Sequence, residues 1–373
     1  MARTGIVRDD RFNLHCMGED HPECPERLRV LYRMLEDADI KDRFISVPSR
    51  PATDDELLQV HSARYIERLK KTEGKECTLM DRDTQTCATS HEAALLAAGG
   101  LCEAVRWVCE ERLDNAFAMV RPPGHHAEEN CAKGFCLYNN VALAARYAQR
   151  YLDLDKILIV DWDLHHGNGT HHIFENDPTV LYFSAHQFPH YPGTGKLRHA
   201  GKGPGRGYSV NIPLSPGLGD GEYLMLFERL LKPVATAFSP DLVLVSAGFD
   251  LHRQDPLGGM FVTAAGFAAM TRLVMDIADR CCRGKLVLSL EGGYNLQGLG
   301  DSVKAVLCEM AALTQSDYRE LPMKADRRKI EGIIRKAIRI YGRYWDALPR
   351  ETQKKIRLGE AWDRILAFFK PDS

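Results

Sequence analysis

Two kinds of hydrophobic block recur along this chain. Ala116–Val120, Ile157–Asp161, Val180–Ser184, Leu242–Ser246 and Leu286–Leu290 are short apolar runs, each followed by glycine, proline or a polar cluster. A run of that length without polar alternation predicts a strand buried on both faces. Longer stretches at His91–Glu111, Asn140–Tyr151, Glu222–Phe238 and Ala264–Cys281 place apolar residues three and four positions apart and predict helices. Strands alternating with helices imply the α/β class, with a parallel sheet covered on both faces. His186–Pro213 has no period and is rich in Gly and Pro. A loop of that length within a compact domain usually serves function.

Beyond Ser316 the pattern changes. Ile330, Ile333, Ile334, Ala337, Ile338 and Tyr341 mark one helix face, while Arg327, Arg328, Lys329, Arg335, Lys336 and Arg339 crowd the other positions. This predicts an amphipathic helix laid on the body or on a second subunit, with docking of an anionic partner as the sharper alternative. Without repeats, low-complexity tracts or a linker, residues 1–315 are expected to form one catalytic domain. Residues 316–373 are expected to form a basic helical extension packed on it.

Composition narrows the partners. The chain has 373 residues, 45% hydrophobic and 27% charged, an ordinary globular balance. Lys plus Arg number 49 and Asp plus Glu 51, so a surface built wholly for nucleic acid is not expected. The start, MARTGIVRDDRFNLHC, is too polar for a signal peptide, and no run has the roughly 18 apolar residues of a membrane span. A soluble, cytoplasmic protein is expected, with homo-oligomers left open. The 11 cysteines show no C-x-x-C spacing and fit reduced, buried thiols.

The chemistry gathers at the strand ends, where parallel α/β sheets bind their ligands. Beyond Val120 come Arg121-Pro-Pro-Gly-His125-His126, and beyond Val160 come Asp161-Trp-Asp163-Leu-His165. Val180–Phe183 leads to Ser184-Ala185-His186, Leu242–Ala247 to Asp250, and Leu286–Leu290 to Glu-Gly-Gly-Tyr294. Asp163 and His165 are two apart at a strand end, which points both the same way. Asp250 stands ready as a third ligand, and three N/O ligands with an open position describe a catalytic zinc site. With two carboxylates such an ion acidifies its water only moderately, so a base is needed, and His125-His126 is the natural pair. Asp161 and Asn168 are placed to accept ring N–H bonds from that pair. Tyr294 follows two glycines and can donate to a developing oxyanion. Phe135 and Tyr191 sit beside glycine-containing turns as candidate channel walls, and His171, His172, His199 and His252 read as bystanders.

RPPGHHAEENCAKGFCLYNN, VDWDLHHGNGTHHIF, YPGTGK, SAGFDLHRQDPLGG and LEGGYN resemble the histone deacetylase superfamily, which includes acetylpolyamine amidohydrolases and acetoin-utilisation proteins. DWDLHHGNGT looks more like class II than class I, and the match spans about residues 5–312. The resemblance implies an arginase/deacetylase fold with a mainly parallel sheet of about eight strands. It implies zinc or ferrous iron on Asp163, His165 and Asp250, His126 as general base and then acid with His125 beside it, and Tyr294 as carbonyl polariser. Phe135, Tyr191 and Leu257 line the substrate channel. A structural potassium is implied at Asp161, Asp163, His165, Ser184 and Ala185, with a second monovalent site near Phe174 and Val180. Two departures stand out: Asn168 replaces a class I acid, and Tyr191 replaces a common Phe. The implied substrate is acetyl-lysine in a protein or peptide, or alternatively an acetylated polyamine. Leu257, where a polyamine-selective relative is acidic, favours lysine. Glu19, Asp20, Glu23 and Glu26 are expected near the entrance. Two-metal arginase chemistry is disfavoured because Gly167 and His252 stand where a second ion wants acids. A catalytically inactive binding module would lack a ligand, His126 or Tyr294, and this chain keeps them all.

Overall fold

The computed structural model describes residues 2–349. The strands, in chain order, are β1 Thr4–Val7, β2 Ile45–Val47, β3 Thr78–Leu79, β4 Gln85–Thr86, β5 Asn115–Ala118, β6 Ile157–Asp161, β7 Val180–Gln187, β8 Ser209–Leu214, β9 Leu242–Ala247 and β10 Leu286–Leu290. Eight of them form one sheet in the order β2-β1-β5-β10-β9-β6-β7-β8, and β3 and β4 make a separate hairpin. Each neighbouring pair in the large sheet is parallel. The apolar runs are strands because both faces are covered; β5, β6, β7, β9 and β10 are buried along their whole length. The helices Ser90–Cys109 and Asn140–Tyr151 pack on one another, as do Ala264–Cys282 and Leu296–Met310.

Register decides where the chemistry goes. Asp161 pairs with Ser184 on one side and Ser246 on the other, and Leu290 pairs with Ala247. The carboxyl ends of four central strands therefore lie in one row, and the loops after them share one edge. In chain order β5 is followed by β6, yet β9 and β10 lie between them. Such a switch in strand order leaves a crevice at the carboxyl edge.

Three expectations change. The stretch 186–213 is not structureless: β7 continues to Gln187 and β8 begins at Ser209, leaving 188–208 as the loop. The helix expected over Glu222–Phe238 is interrupted by a π turn at Phe227–Leu231, ahead of Pro233, which has no N–H to continue an α ladder. The cysteines are all unpaired as expected, but Cys16 and Cys77 are exposed while Cys102, Cys136 and Cys282 are buried.

The helix Arg327–Tyr341 buries Ile330, Ile334, Ala337, Ile338 and Tyr341 and packs against β8 and the helix Asp220–Leu226. Its basic residues named above face outward. The Tyr341 hydroxyl accepts from Asn211 N–H at 2.8 Å and donates to Leu197 O at 3.0 Å, and Trp345 Nε1 donates to Gly207 O at 2.9 Å. The end of this helix thus straps down the 188–208 loop. Residues 350–373 of the expected extension lie outside the described residues. Among the described residues no helix is long and apolar enough to cross a membrane.

Buried neutral histidines give the fold a pH signature. Burial holds His15 and His61 down at about 4 and His171 and His186 at about 3, below the ordinary 6.5. Below pH 6.5 the unfolded chain takes up protons that the folded chain refuses. Stability from these groups is full above pH 6.5 and is lost as pH falls toward 3–4, by up to about 1.4 kcal/mol per pH unit for each histidine. Thermal midpoints are expected to fall continuously as pH is lowered from about 6.5 to 4.5. A flat profile would contradict the neutral burial.

Candidate metal centre and active site

The strand β6 ends at Asp161, so Asp163 and His165 converge through loop geometry and not through strand alternation. Asp161 Oδ1 accepts the Asp163 N–H at 3.1 Å, and Asp163 Oδ1 accepts the His165 N–H at 2.8 Å. These successive side-chain turns curl the loop back over the sheet edge. From β9, Asp250 arrives with Oδ1 accepting the Leu164 N–H at 2.8 Å. His165 Nδ1 lies 3.1 Å from Asp163 Oδ1 and 3.0 Å from Asp250 Oδ2. Ligand atoms of these three buried residues lie within 4.8 Å of one another. Gly292 closes the floor: its N–H donates to Asp163 Oδ2 at 2.9 Å, and a Cβ there would stand 2.3 Å from Asp250 Oδ2.

The charges fit a cation. Burial, with Asp163 alongside, pushes Asp250 up to about 7. Burial opposes a charge on His165, yet hydrogen bonds to Asp163 and Asp250 overcome it and lift the ring to about 10. Two buried carboxylates are thus drawing positive charge into the site, with the imidazole proton standing in for an ion. One nitrogen and two oxygens suit zinc or ferrous iron.

Above the triad lie His125 and His126, their ring centroids 4.0 Å apart. His125 Nδ1 donates to Asp161 Oδ2 at 3.1 Å, and the Tyr182 hydroxyl donates to the same oxygen at 2.8 Å. His126 Nδ1 pairs with Asn168 Oδ1 at 2.7 Å, as the sequence suggested. Burial works against a charge on His125, but Asp163, Asp161 and Glu291 raise it to about 10. Burial and the charges of His125 and His165 drive His126 well below its ordinary value. One ring is an imidazolium and its neighbour a neutral base. Below them, Ser184 Oγ is 2.9 Å from His186 Nδ1, and Ala185 is the next residue of β7.

Three aromatic residues lie close by. Phe135 has φ of 70°, and its ring stands edge-on to Tyr294 at 6.0 Å. Gly134 is required before it, because a Cβ there would meet His126 Cδ2 at 2.4 Å. The Tyr191 ring stands edge-on to His126 at 5.1 Å. Leu257 is half-buried, with its N–H bonded to Asp255 Oδ1 at 3.0 Å.

Several contributors were not legible in the sequence. Asp255 Oδ2 accepts the N–H groups of Tyr294 at 2.6 Å and Asn295 at 3.1 Å, which fixes the Tyr294 loop from one side. From the other, Arg27 donates to Gly293 O at 2.7 Å and Glu291 O at 2.6 Å, with its guanidinium 5.1 Å from the Tyr294 ring centre. Glu291 Oε2 accepts from Gly124 N–H at 2.7 Å and His125 N–H at 3.1 Å, joining the loops that follow β10 and β5. An acid closing the largely apolar run Leu286–Leu290 was the available signal. His190 stacks on His165 at 5.1 Å, and Asp83 Oδ1 accepts the Gly134 N–H at 3.3 Å. Glu23 is a correction: it is not at the entrance but completely buried between Arg121 and Arg27, whereas Glu19, Asp20 and Glu26 are exposed. Among the expected bystanders, His172 pairs with Glu128 at 2.9 Å.

An eight-stranded parallel sheet with this centre beyond its carboxyl edge defines the arginase/deacetylase fold. The chain belongs to the histone deacetylase family: the histone deacetylase domain model matches residues 21–310. It is 38% identical to a probable deacetylase of Archaeoglobus fulgidus, over 92% of this chain and 98% of that protein. It is 43% identical to the polyamine deacetylase HDAC10 of Danio rerio, over 80% of this chain and 46% of that protein. The crystal structure of the HDA15 HD domain superposes with a TM-score of 0.85 at 37% identity, covering 98% of this chain and all of that one. The chain spans about half the length of several plant and fungal relatives.

Proposed function

We propose that this protein is a metal-dependent amidohydrolase that removes acetyl groups from lysine side chains in proteins or peptides. The observation that carries the proposal is the convergence of Asp163, His165 and Asp250 next to the paired rings of His125 and His126, with the His126 and His165 centroids 5.9 Å apart. A zinc or ferrous ion held by those three residues would supply a Lewis acid for the amide carbonyl and an acidified water. Asp161, with Asp163, His165, Ser184 and Ala185, is the proposed potassium cradle beneath it. A second monovalent ion is assigned near Phe174 and Val180.

The protein's own groups do the rest. Phe135 and Tyr191 hold the aliphatic stem of the substrate and exclude bulk water from the scissile amide. Tyr294 donates its hydroxyl proton in a hydrogen bond to the carbonyl oxygen, where negative charge grows as the carbon becomes tetrahedral. Burial keeps that phenol protonated, far above its usual range. His126 takes the proton of the attacking water on Nε2, the nitrogen not engaged by Asn168, and then hands it to the leaving amine nitrogen. The His125 imidazolium keeps its charge through its bond to Asp161 and adds favourable potential next to the developing oxyanion.

Leu257 at the mouth supports a peptide substrate, since a polyamine's second ammonium group finds no acid at that position. The likeness to HDAC10 and the carboxylate of Asp83 near Phe135 favour the polyamine alternative. The deciding experiment compares kcat/KM for acetyl-lysine peptides with acetylputrescine and acetylspermidine on metal-loaded protein. Acetyl-lysine is expected to win. A polyamine preference beyond about tenfold, some 1.4 kcal/mol, would overturn the substrate assignment. No turnover of either class would leave only an acyl-binding module.

A further inference from the structure

We infer that Glu128 is a positioning residue for His126, acting through Asn168; this rests on His126 being the proton carrier proposed above. A side-chain amide has an accepting end and a donating end, and which end faces His126 decides which ring nitrogen is free. The surroundings of Asn168 settle it. Its Nδ2 faces a carboxylate oxygen of Glu128 and, at 3.3 Å, the backbone carbonyl of His126. Both groups only accept, so the NH2 end must lie there. Turned over, the amide would set its own oxygen against a carboxylate and a carbonyl. Oδ1 therefore faces His126 Nδ1, which has to carry the ring hydrogen, and the lone pair is left on Nε2.

Glu128 is itself held in place. His172 Nδ1 reaches both of its oxygens, at 2.9 and 3.0 Å. Its backbone N–H donates to Cys131 O at 3.0 Å, and its carbonyl accepts from His61 Nδ1 at 3.0 Å. His61 Nε2 accepts the Asn139 N–H at 3.0 Å, which confirms that Nδ1 is the donor of that ring. From the half-exposed His172 inward, a hydrogen-bonded histidine–carboxylate pair orients an amide and the amide selects a tautomer. An acid at position 168 would need no such partner, because both of its oxygens accept. An amide there does need one. The charge of Glu128 supplies the preference, since a hydrogen bond to a carboxylate is stronger than one to a neutral acceptor.

The test uses the metal-loaded protein. Glu128→Ala is expected to lower kcat at least tenfold on the preferred acetylated substrate with KM changed less than twofold. Glu128→Gln, whose amide oxygen still accepts from Asn168, is expected to recover most of the loss. In an Asn168→Asp background, Glu128→Ala is expected to cause no further drop, because orientation no longer matters. A readout independent of turnover is 15N NMR of labelled histidine, with the His126 signals assigned by their loss in His126→Gln. The wild type is expected to show one tautomer with hydrogen on Nδ1, and Glu128→Ala a mixture. Should Glu128→Ala not fold, His172→Ala, at a half-exposed site, is expected to give the same mixture and a smaller loss of kcat. An unaltered tautomer, or an equal loss in the Asn168→Asp background, would overturn the inference. If the wild type turns over nothing, the proposed activity fails while the NMR result still decides the role of Glu128.

Discussion

Asp250→Asn is expected to yield a protein that is at least as stable as the wild type without metal and nearly inert with it. The two effects have one cause. Asp250 sits in a fully buried site against a second carboxylate, and burial with Asp163 pushes its carboxyl up to about 7. Asparagine keeps the shape: its oxygen can take the Leu164 N–H that Asp250 Oδ1 accepts at 2.8 Å, and its NH2 can donate to His165 Nδ1 once that ring is neutral with its hydrogen on Nε2. The like-charge conflict disappears, so the melting temperature in chelator should hold or rise. A metal, however, loses one of two anionic ligands. Even the partners of metal ligands typically matter 10–100-fold to affinity, so loss of a ligand charge should weaken binding by about a hundredfold or more. Turnover should fall by about a thousandfold or more, roughly 4 kcal/mol in the barrier. Metal titration by calorimetry, thermal melts in chelator and saturating-metal kinetics check the three parts. Undiminished turnover would remove Asp250 from the centre.

Glu23→Ala should do its damage to the fold. Glu23 lies at the centre of a completely buried cluster, with Oε2 accepting from Arg121 Nη2 at 2.7 Å, Oε1 from Arg27 Nη1 at 3.2 Å, and His15 Nε2 at 3.6 Å. Burial works against the carboxylate, but Arg121 and its neighbours hold the acid down at about 2. Removing it strands two guanidinium groups away from water, which costs about 3–5 kcal/mol. Because Arg27 also holds Gly293 O and Glu291 O, the loss should reach the Tyr294 loop and lower kcat in the fraction that remains folded. Glu23→Gln keeps an acceptor without the charge and should fall between the two. Urea unfolding curves with matched kinetics measure both effects. A stability loss under about 1 kcal/mol would mean that the arginines find other partners.

What the sequence revealed and what it hid follow from distance along the chain. The central strands were legible because burial on both faces makes them continuous apolar runs, and the site was legible because its residues follow those runs directly. Short strands were not: β1 and β2 have four and three residues, β2 is largely exposed, and β8 carries Asn211 and Pro213 within a glycine-rich stretch. Glu23 and Arg27 have the four-residue spacing of an ordinary surface pair on a helix. Only Arg121, 98 residues further on, turns that pair into a buried cluster. Glu128 is the first of two acids in a polar turn, and nothing local distinguishes it from Glu129. Its partners come from a helix some 40 residues downstream.

The strap formed by Tyr341 and Trp345 bears on the order in which this molecule comes into being. Tyr341 grips Leu197 from 144 positions away, on the same loop that displays His190 and Tyr191. During synthesis every described strand, and every side chain proposed to handle a proton, is available before that grip can form. A nascent chain halted short of Tyr341 would own the chemistry but not one wall of its corridor. On the proposed roles, competence arrives with the helix Arg327–Tyr341 and not with His126 and Tyr294.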